Sequence, residues 1–385
     1  MIHNIKAITA ASFLSMLFLG VSSSLIGAAS RNIGLSPYQI GLMIAIQNIG
    51  FMISVLISGA FADTYQKPRI LMVGSIILTI SLFLFYGWSN FWINLIIMFF
   101  IGVGIGSYEG VTDAMLLDIH TKRSSLFINI NHFFVTLGAI IITVYLIFLQ
   151  MAWRDAIIQA GIAVGILAIL FGLMKLLPHG KKTESYTKQL RLVTRDRLVI
   201  VLFIASILVV GIEGGSIGIL TTYLMELRGF TQVTSKIGLV VFLTGMAAGR
   251  LLLGYITPSE KIPRYVISLF TLSTIVFSGL YFFNLGTYLY FVLFLAGLTL
   301  SAILPLMLSM AGLIYFDRAG LVLGTIKVAI PIGGILLPFF LALVTKYSTF
   351  ERALILFPIA SLLGLVITSF QFKSLRKIEP APAPE

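Results

Sequence analysis

The chain has no cysteine among its 385 residues. That absence excludes disulfides, thiolate metal centres and thiol nucleophiles. Charge is also scarce: 10% of residues are Asp, Glu, Lys or Arg, against about 25% in soluble domains. Neither an HExxH nor a GxxxxGK[ST] motif occurs, which removes two common metal and phosphate chemistries. The glycine run GVGIG at 102–106 lies inside an apolar segment and reads as close helix packing, not as a phosphate cradle. No enzyme is expected, and no cofactor or resident metal ion.

What the chain has instead is apolar length, with 58% hydrophobic residues. A spanning helix needs roughly 20 mostly apolar residues. Twelve such segments can be marked, at about 6–29, 38–62, 70–87, 93–117, 126–149, 155–176, 198–224, 236–256, 265–284, 288–314, 321–345 and 352–372. The first run is too long for a cleaved leader and is followed by further spans, so it is read as a span itself. The longest hydrophilic stretch, HGKKTESYTKQLRLVTRDR at 179–197, falls between the sixth and seventh. The expected organisation is a six-helix bundle at 1–177, a cytoplasmic linker at 178–197, a second six-helix bundle at 198–374 and a disordered Pro-rich tail at 375–385. The fold class is therefore an all-α membrane protein built of two pseudo-symmetric six-helix bundles.

A net charge of +12 would suggest nucleic acid in a soluble protein. Here no basic, aromatic-interleaved soluble domain exists to bind it. With the N-terminus inside, Lys and Arg divide about 19 inside to 6 outside, the asymmetry that orients membrane proteins. Trp88, Trp92 and Trp153 all fall at outer loops, where an interfacial belt places them. The expectation is a multi-pass protein of the cell membrane, inner or plasma, with both termini cytoplasmic. Its partners are the lipid bilayer and a small-molecule substrate, and the chain is expected to act as a monomer.

The halves repeat. Gly102 and Gly297, Arg123 and Arg318, His132 and Lys327, and Gly138 and Gly333 each lie 195 positions apart. Parallel six-helix repeats are a transporter architecture with the substrate site between them near the midplane. Ionisable residues inside spans cost about 2.5–3.5 kcal/mol on insertion scales and so mark cavities or partners. Glu109 and Asp113 share one face of the fourth segment at i,i+4. Glu213, His132 and Lys327 lie in the seventh, fifth and eleventh. Asp113 reads as an ion-pair partner of Lys327 or His132, and His132 as a helix-packing histidine. Lys327 either snorkels to the inner interface or pairs with an acid. The amides of Gln47, Asn48, Asn129 and Asn131 could bond solute hydroxyls or neighbouring helices. Asp118, His120, Lys122 and Arg123 read as a solvated cytoplasmic loop.

The loop SGAFADTYQKPR at 58–69 resembles the signature of the major facilitator superfamily, with Gly59, Asp63, Lys67 and Arg69 in the matching positions. The second-half counterpart, GRLLLGYITPSEKIPR, keeps Gly249, Arg250 and Gly254 but has Thr257 and Pro258 where an aspartate would stand. The resemblance implies the superfamily fold, alternating access, and a gating set in which Asp113, Arg123, Arg250 and Arg318 join the loop residues. It also makes the third, sixth, ninth and twelfth spans peripheral, which agrees with their uncharged apolar bodies.

Within the superfamily, GVGIGSYEG with Glu109, RSSLFINI, NHFFVTLGAII, GIEGGSIGILTTYL with Glu213 and GTIKVAIPIGGILLP are similar to the fucose/glucose–proton symporter branch. That branch often carries an acid in its first helix. Here SFLSMLFLGVSSSLIGAAS has only serines. The resemblance implies a secondary active transporter that moves a small polar solute, a sugar, by proton symport. Glu109 and Glu213 would couple the proton and, with Gln47, Asn48, Asn131 and Lys327, contact the substrate. The alternative is a drug–proton antiporter. Exporters often carry a glycine-proline motif in the fifth helix, but HFFVTLGAIIITVYLIF has no proline. Organic-anion transport would need several cavity cations, and a receptor would bind solute without flux.

Overall fold

The structure is a computed structural model, and it describes residues 4–62, 65–120, 124–149, 151–176, 195–315 and 319–372. Twelve helical segments are long and apolar enough to cross a membrane: Ile5–Ile33, Pro37–Gly59, Lys67–Leu84, Phe91–Leu116, Ile130–Phe148, Trp153–Leu173, Arg197–Arg228, Gln232–Leu253, Ile262–Phe282, Gly286–Ile314, Val322–Tyr347 and Phe350–Gln371. No β-strand occurs among the described residues. In hydrocarbon every backbone polar group must be satisfied within its own segment, which leaves helices for a chain of this composition. Helix ends are capped where the sequence allows. The Asn90 side chain accepts from the Trp92 and Ile93 amides, and Gly34 closes the first helix in the left-handed region.

Burial singles out one set of spans. In the most apolar window of each, 67, 56, 50 and 56% is buried for the first, fourth, seventh and tenth. For the third, sixth, ninth and twelfth it is 44, 39, 39 and 44%, which does not separate them from the fifth, eighth and eleventh at 39, 44 and 39%. The exposed faces are apolar: Ile96 and Phe100, and Ile162, Ile166 and Ile169, form stripes at helical spacing. Such rows suit lipid, not water.

The described chain forms two compact units, Met1–Lys182 with Ile217–Val240, and Thr183–Ser216 with Val241–Glu385. The first takes in the far part of the seventh helix and the start of the eighth, and the contacts there show why. A side chain at Gly27 would overlap the Ile217 carbonyl, and one at Gly218 would overlap Ile44. The Thr221 hydroxyl donates to the Gly27 carbonyl, and Ser30 and Thr222 share a hydrogen bond of 3.2 Å. Arg31 pairs with Glu226 at 3.0 Å, Asn32 donates to Gln232 at 2.9 Å, and Lys236 donates to Asn32 at 3.1 Å. Lys236, the first residue of the eighth marked segment, is 1% exposed; its ammonium donates to the Asn32 amide oxygen.

The repeat is visible as packing. A Cβ at Gly50 would overlap the Phe99 carbonyl, and one at Gly102 the Gln47 carbonyl. At Gly245 it would overlap the Phe294 carbonyl, and at Gly297 the Phe242 carbonyl. Each residue of the second set is its counterpart in the first plus 195. Two reciprocal glycine contacts thus join the second helix to the fourth, and the eighth to the tenth, in the same register. Gly59 of the signature loop has room: a Cβ there would lie 3.8 Å from the Gly110 carbonyl, an ordinary contact. The tight partner is Gly110, whose Cβ would overlap the Ser58 hydroxyl.

Three spans read as continuous are interrupted. The tenth divides after Ser301, the eleventh after Lys327, and the twelfth at Leu354–Ile355. Pro305, Pro331 and Pro358 follow by four residues Ser301, Lys327 and Leu354 respectively. A helical proline lacks the N–H for the i−4 carbonyl and clashes with it, so the breaks fall where it acts.

The glycine seams predict a contrast. Gly102→Ala should lower stability by about 1–3 kcal/mol, as overpacking does. Gly279→Ala meets nothing within 4 Å and should be neutral or stabilising by up to about 1 kcal/mol. Thermal unfolding of the two variants in detergent checks this; equal melting shifts would contradict the seam.

Candidate functional site

Three of the predicted site residues of the first half, Glu109, Asp113 and Asn131, meet between the fourth and fifth helices. The i,i+4 spacing puts Glu109 and Asp113 on one face of the helix Phe91–Ile119. The fifth helix, Ser124–Phe148, brings Asn131 and His132 against them. Asp113 Oδ2 lies 2.9 Å from His132 Nε2, and Asp113 Oδ1 accepts from Asn131 Nδ2 at 3.0 Å. The same Nδ2 donates to the Thr112 hydroxyl at 2.9 Å, which in turn donates to the Tyr108 carbonyl at 2.8 Å. One oxygen of Glu109, one of Asp113 and one His132 nitrogen all lie within 4.8 Å of one another. The Asp113 and His132 side chains are 15 and 35% exposed and Asn131 is fully buried. The cluster therefore has a dry wall and an open side. His132, one of the two partners considered for Asp113, is in contact with it, and Thr112 joins a site for which the sequence had flagged only charges and amides.

In the second unit Arg250 Nη2 lies 2.5 Å from Glu213 Oε1, with the two side chains 28 and 18% exposed. This ion pair between the seventh and eighth helices neutralises two charges that would each be costly alone. It unites a residue expected to couple the proton with one expected to gate. Lys327 ends the helix Ala319–Lys327 at the Pro331 break.

The amides are partly engaged in packing. Gln47 is buried and donates to the Ser22 carbonyl at 3.2 Å, joining the second helix to the first. Asn48 donates to the Ile44 carbonyl of its own helix at 2.9 Å. Both bonds use only the nitrogen end.

Near the start of the third helix, Lys67 is buried and pairs with Asp118 at 2.7 Å, while Arg69 is exposed. His120 Nε2 lies 2.7 Å from the Thr9 hydroxyl, and its ring stacks on Phe127 with centroids 3.6 Å apart. Asp118 and His120 are therefore not a solvated loop. They pin the end of the fourth helix to the third, first and fifth, because a charge or ring at a helix end is stabilised by the nearest partner. Asp63, Lys122, Arg123 and Arg318 lie outside the described residues, as do the Asn129 side chain, most of the expected linker and the tail.

Two consequences are measurable. Arg250→Ala leaves Glu213 uncompensated, and its cost should be about 2 kcal/mol, below the 3–5 of a fully buried pair because both groups keep some solvent. A Glu213→Gln, Arg250→Gln double variant should recover most of that in unfolding experiments; no recovery would mean the pair is not coupled. Burial lowers the pKa of His120. The unfolded chain then binds the proton more readily, so this contribution is intact above about pH 6.5 and is lost as pH falls below it. His120→Gln should flatten the melting temperature between pH 7.5 and 5.5 relative to wild type.

Residues 8–266 match the family model described as Major Facilitator Superfamily. A search of curated proteins found no match. Among solved structures, a bacterial homologue of the human lysosomal transporter Spinster, in an inward-facing and unoccupied conformation, is similar with a TM-score of 0.78 at 14% identity, over 98% of each chain. The nucleoside transporter NupG is similar with a TM-score of 0.75 at 12% identity, over 97% of this chain and 99% of that one. At such identities the likeness concerns the fold, which is the twelve-helix transporter fold seen here. The family match covers more than half of the sequence, and the chain belongs to the Major Facilitator Superfamily.

Proposed function

We propose that this transporter carries a small polar solute, a sugar or a sugar-bearing molecule, by proton-coupled symport with alternating access. The observation that carries the reading is Glu109: a half-buried carboxylate inside a span, beside the Asp113–His132 pair. Glu213 is committed to Arg250, so proton coupling falls to Glu109, and the Glu213–Arg250 pair serves gating. The bundles at 1–177 and 198–374 are the two moving parts, with the N-terminus on the cytoplasmic side of the cell membrane. The residual hydrogen-bonding capacity of Gln47 and Asn48, and Lys327, serve the solute.

The resemblance of GVGIGSYEG and its companion segments to fucose/glucose symporters supports the sugar class. NupG adds support in the same direction, since a nucleoside is a polar solute that bears a sugar. The fifth helix has no proline in HFFVTLGAIIITVYLIF, which favours symport over the drug–proton exporter.

Proton movement in proteoliposomes, driven by hexoses, deoxyhexoses, nucleosides or cationic dyes, tests the reading. The expected result is sugar- or nucleoside-induced proton uptake in the wild type. Glu109→Gln should abolish that uptake while solute exchange persists. Dye-driven proton counterflow without a sugar or nucleoside response would overturn symport in favour of export.

A further inference from the structure

We propose that Glu109, Asp113 and His132 form a binding site for one divalent first-row metal ion, beside the buried side chain of Asn131. The sequence offered no reason to expect a metal, because the histidine stands 19 residues from the nearer carboxylate on a different helix. The fold brings them together. One ligand atom from each residue lies within 4.8 Å of the others. Ligands about 2.1 Å from an ion sit roughly 3.0 Å apart on an octahedral edge and roughly 3.4 Å apart on a tetrahedral one. The observed 2.9 Å between His132 Nε2 and Asp113 Oδ2 is that edge without further movement.

A second observation points the same way. Asn131 is fully buried, and its Oδ1 has no hydrogen-bond donor. The amide lies against the cluster, since its Nδ2 donates to Asp113 Oδ1 at 3.0 Å. Exchanging the two amide ends would face an oxygen to the carboxylate, so the orientation shown is the favourable one. A buried carbonyl oxygen without a donor is costly unless water or a cation meets it. The other end of the same amide is on Asp113, one of the three residues of the cluster.

The donor set selects the class of ion. Carboxylates alone suit magnesium, calcium and manganese, whereas an imidazole nitrogen shifts preference toward zinc and its first-row neighbours. The His132 side chain is 35% exposed, which gives an ion a way in. The proposal concerns occupancy and stands whether or not Glu109 also carries a proton. Should it do so, a bound ion would compete for the same oxygen.

Zn2+ and Mn2+ binding to purified, tag-free, full-length protein in detergent tests the site by equilibrium dialysis, independently of transport. One saturable ion per chain is expected. Affinity should fall at least about tenfold in Asp113→Asn and in His132→Gln, and remain unchanged in His120→Gln. Size-exclusion profiles establish that the variants are folded, and His132→Gln keeps an amide able to donate to Asp113. X-ray absorption on the Zn2+-loaded wild type should show one nitrogen among oxygen ligands. No saturable binding, binding indifferent to the Asp113 and His132 variants, or an all-oxygen ligand shell would overturn the proposal.

Discussion

The second and fourth helices lie so close that neither Gly50 nor Gly102 could carry a side chain without striking the other helix's backbone. In a bilayer there is little hydrophobic force between helices, because lipid is as apolar as leucine; association then depends on dispersion and close approach. The glycine seam supplies that approach and holds the fourth helix in place. From the same helix Tyr108 donates to or accepts from Ser75 of the third at 2.7 Å, and Asp113 reaches the fifth. One rigid helix therefore connects three neighbours. The position of the carboxylates relative to His132 is a consequence of backbone packing more than of the charges themselves.

The polar groups then obey a single accounting. No water is at hand in the hydrocarbon, so most of them find protein, while among the described residues a few buried hydroxyls such as Ser206 and Ser216 have no hydrogen-bond partner. Hydroxyls such as Ser12 and Thr143 return to the carbonyl four residues back. Gln47 reaches the next helix. Arg250 takes Glu213, and Lys236 takes Asn32. Against that background the cluster at Glu109 is different in composition. It brings two acids, an imidazole and a buried amide together between two helices.

Much of the fold was legible from the sequence. Twelve apolar runs marked the spans, and the offset of 195 marked the repeat. Gly102 and Gly297 were seen as a pair without their partners, because carbonyl contacts leave no trace in residue identity. The close approach near the signature loop is at Gly110, which the loop's own residues do not announce. Long-range pairings were the least legible. Asp118 looked like a solvated charge, since charge in a sequence does not state whether a partner from another helix arrives. Asp113 with His132 was one of two pairings that spacing allowed, and the packing of the fourth helix on the fifth brings that one into contact. The helix breaks could have been read from Pro305, Pro331 and Pro358, each of which disturbs the carbonyl four residues before it.

The repeat also shows where the halves have diverged. Their glycine seams keep one register, so packing has been conserved between them to the residue. The prolines that interrupt helices are confined to the second half, where they bend the tenth, eleventh and twelfth spans. Among the described residues the carboxylate–imidazole cluster occurs in the first, and the counterpart of its His132 is Lys327, the last residue before a break. An imidazole and an ammonium differ in kind, since the first can ligate through a ring nitrogen and the second only donates. The same helical position thus carries different chemistry in the two halves. Two copies of one packing scheme have taken different chemistry because the seam that holds them does not involve the residues that differ.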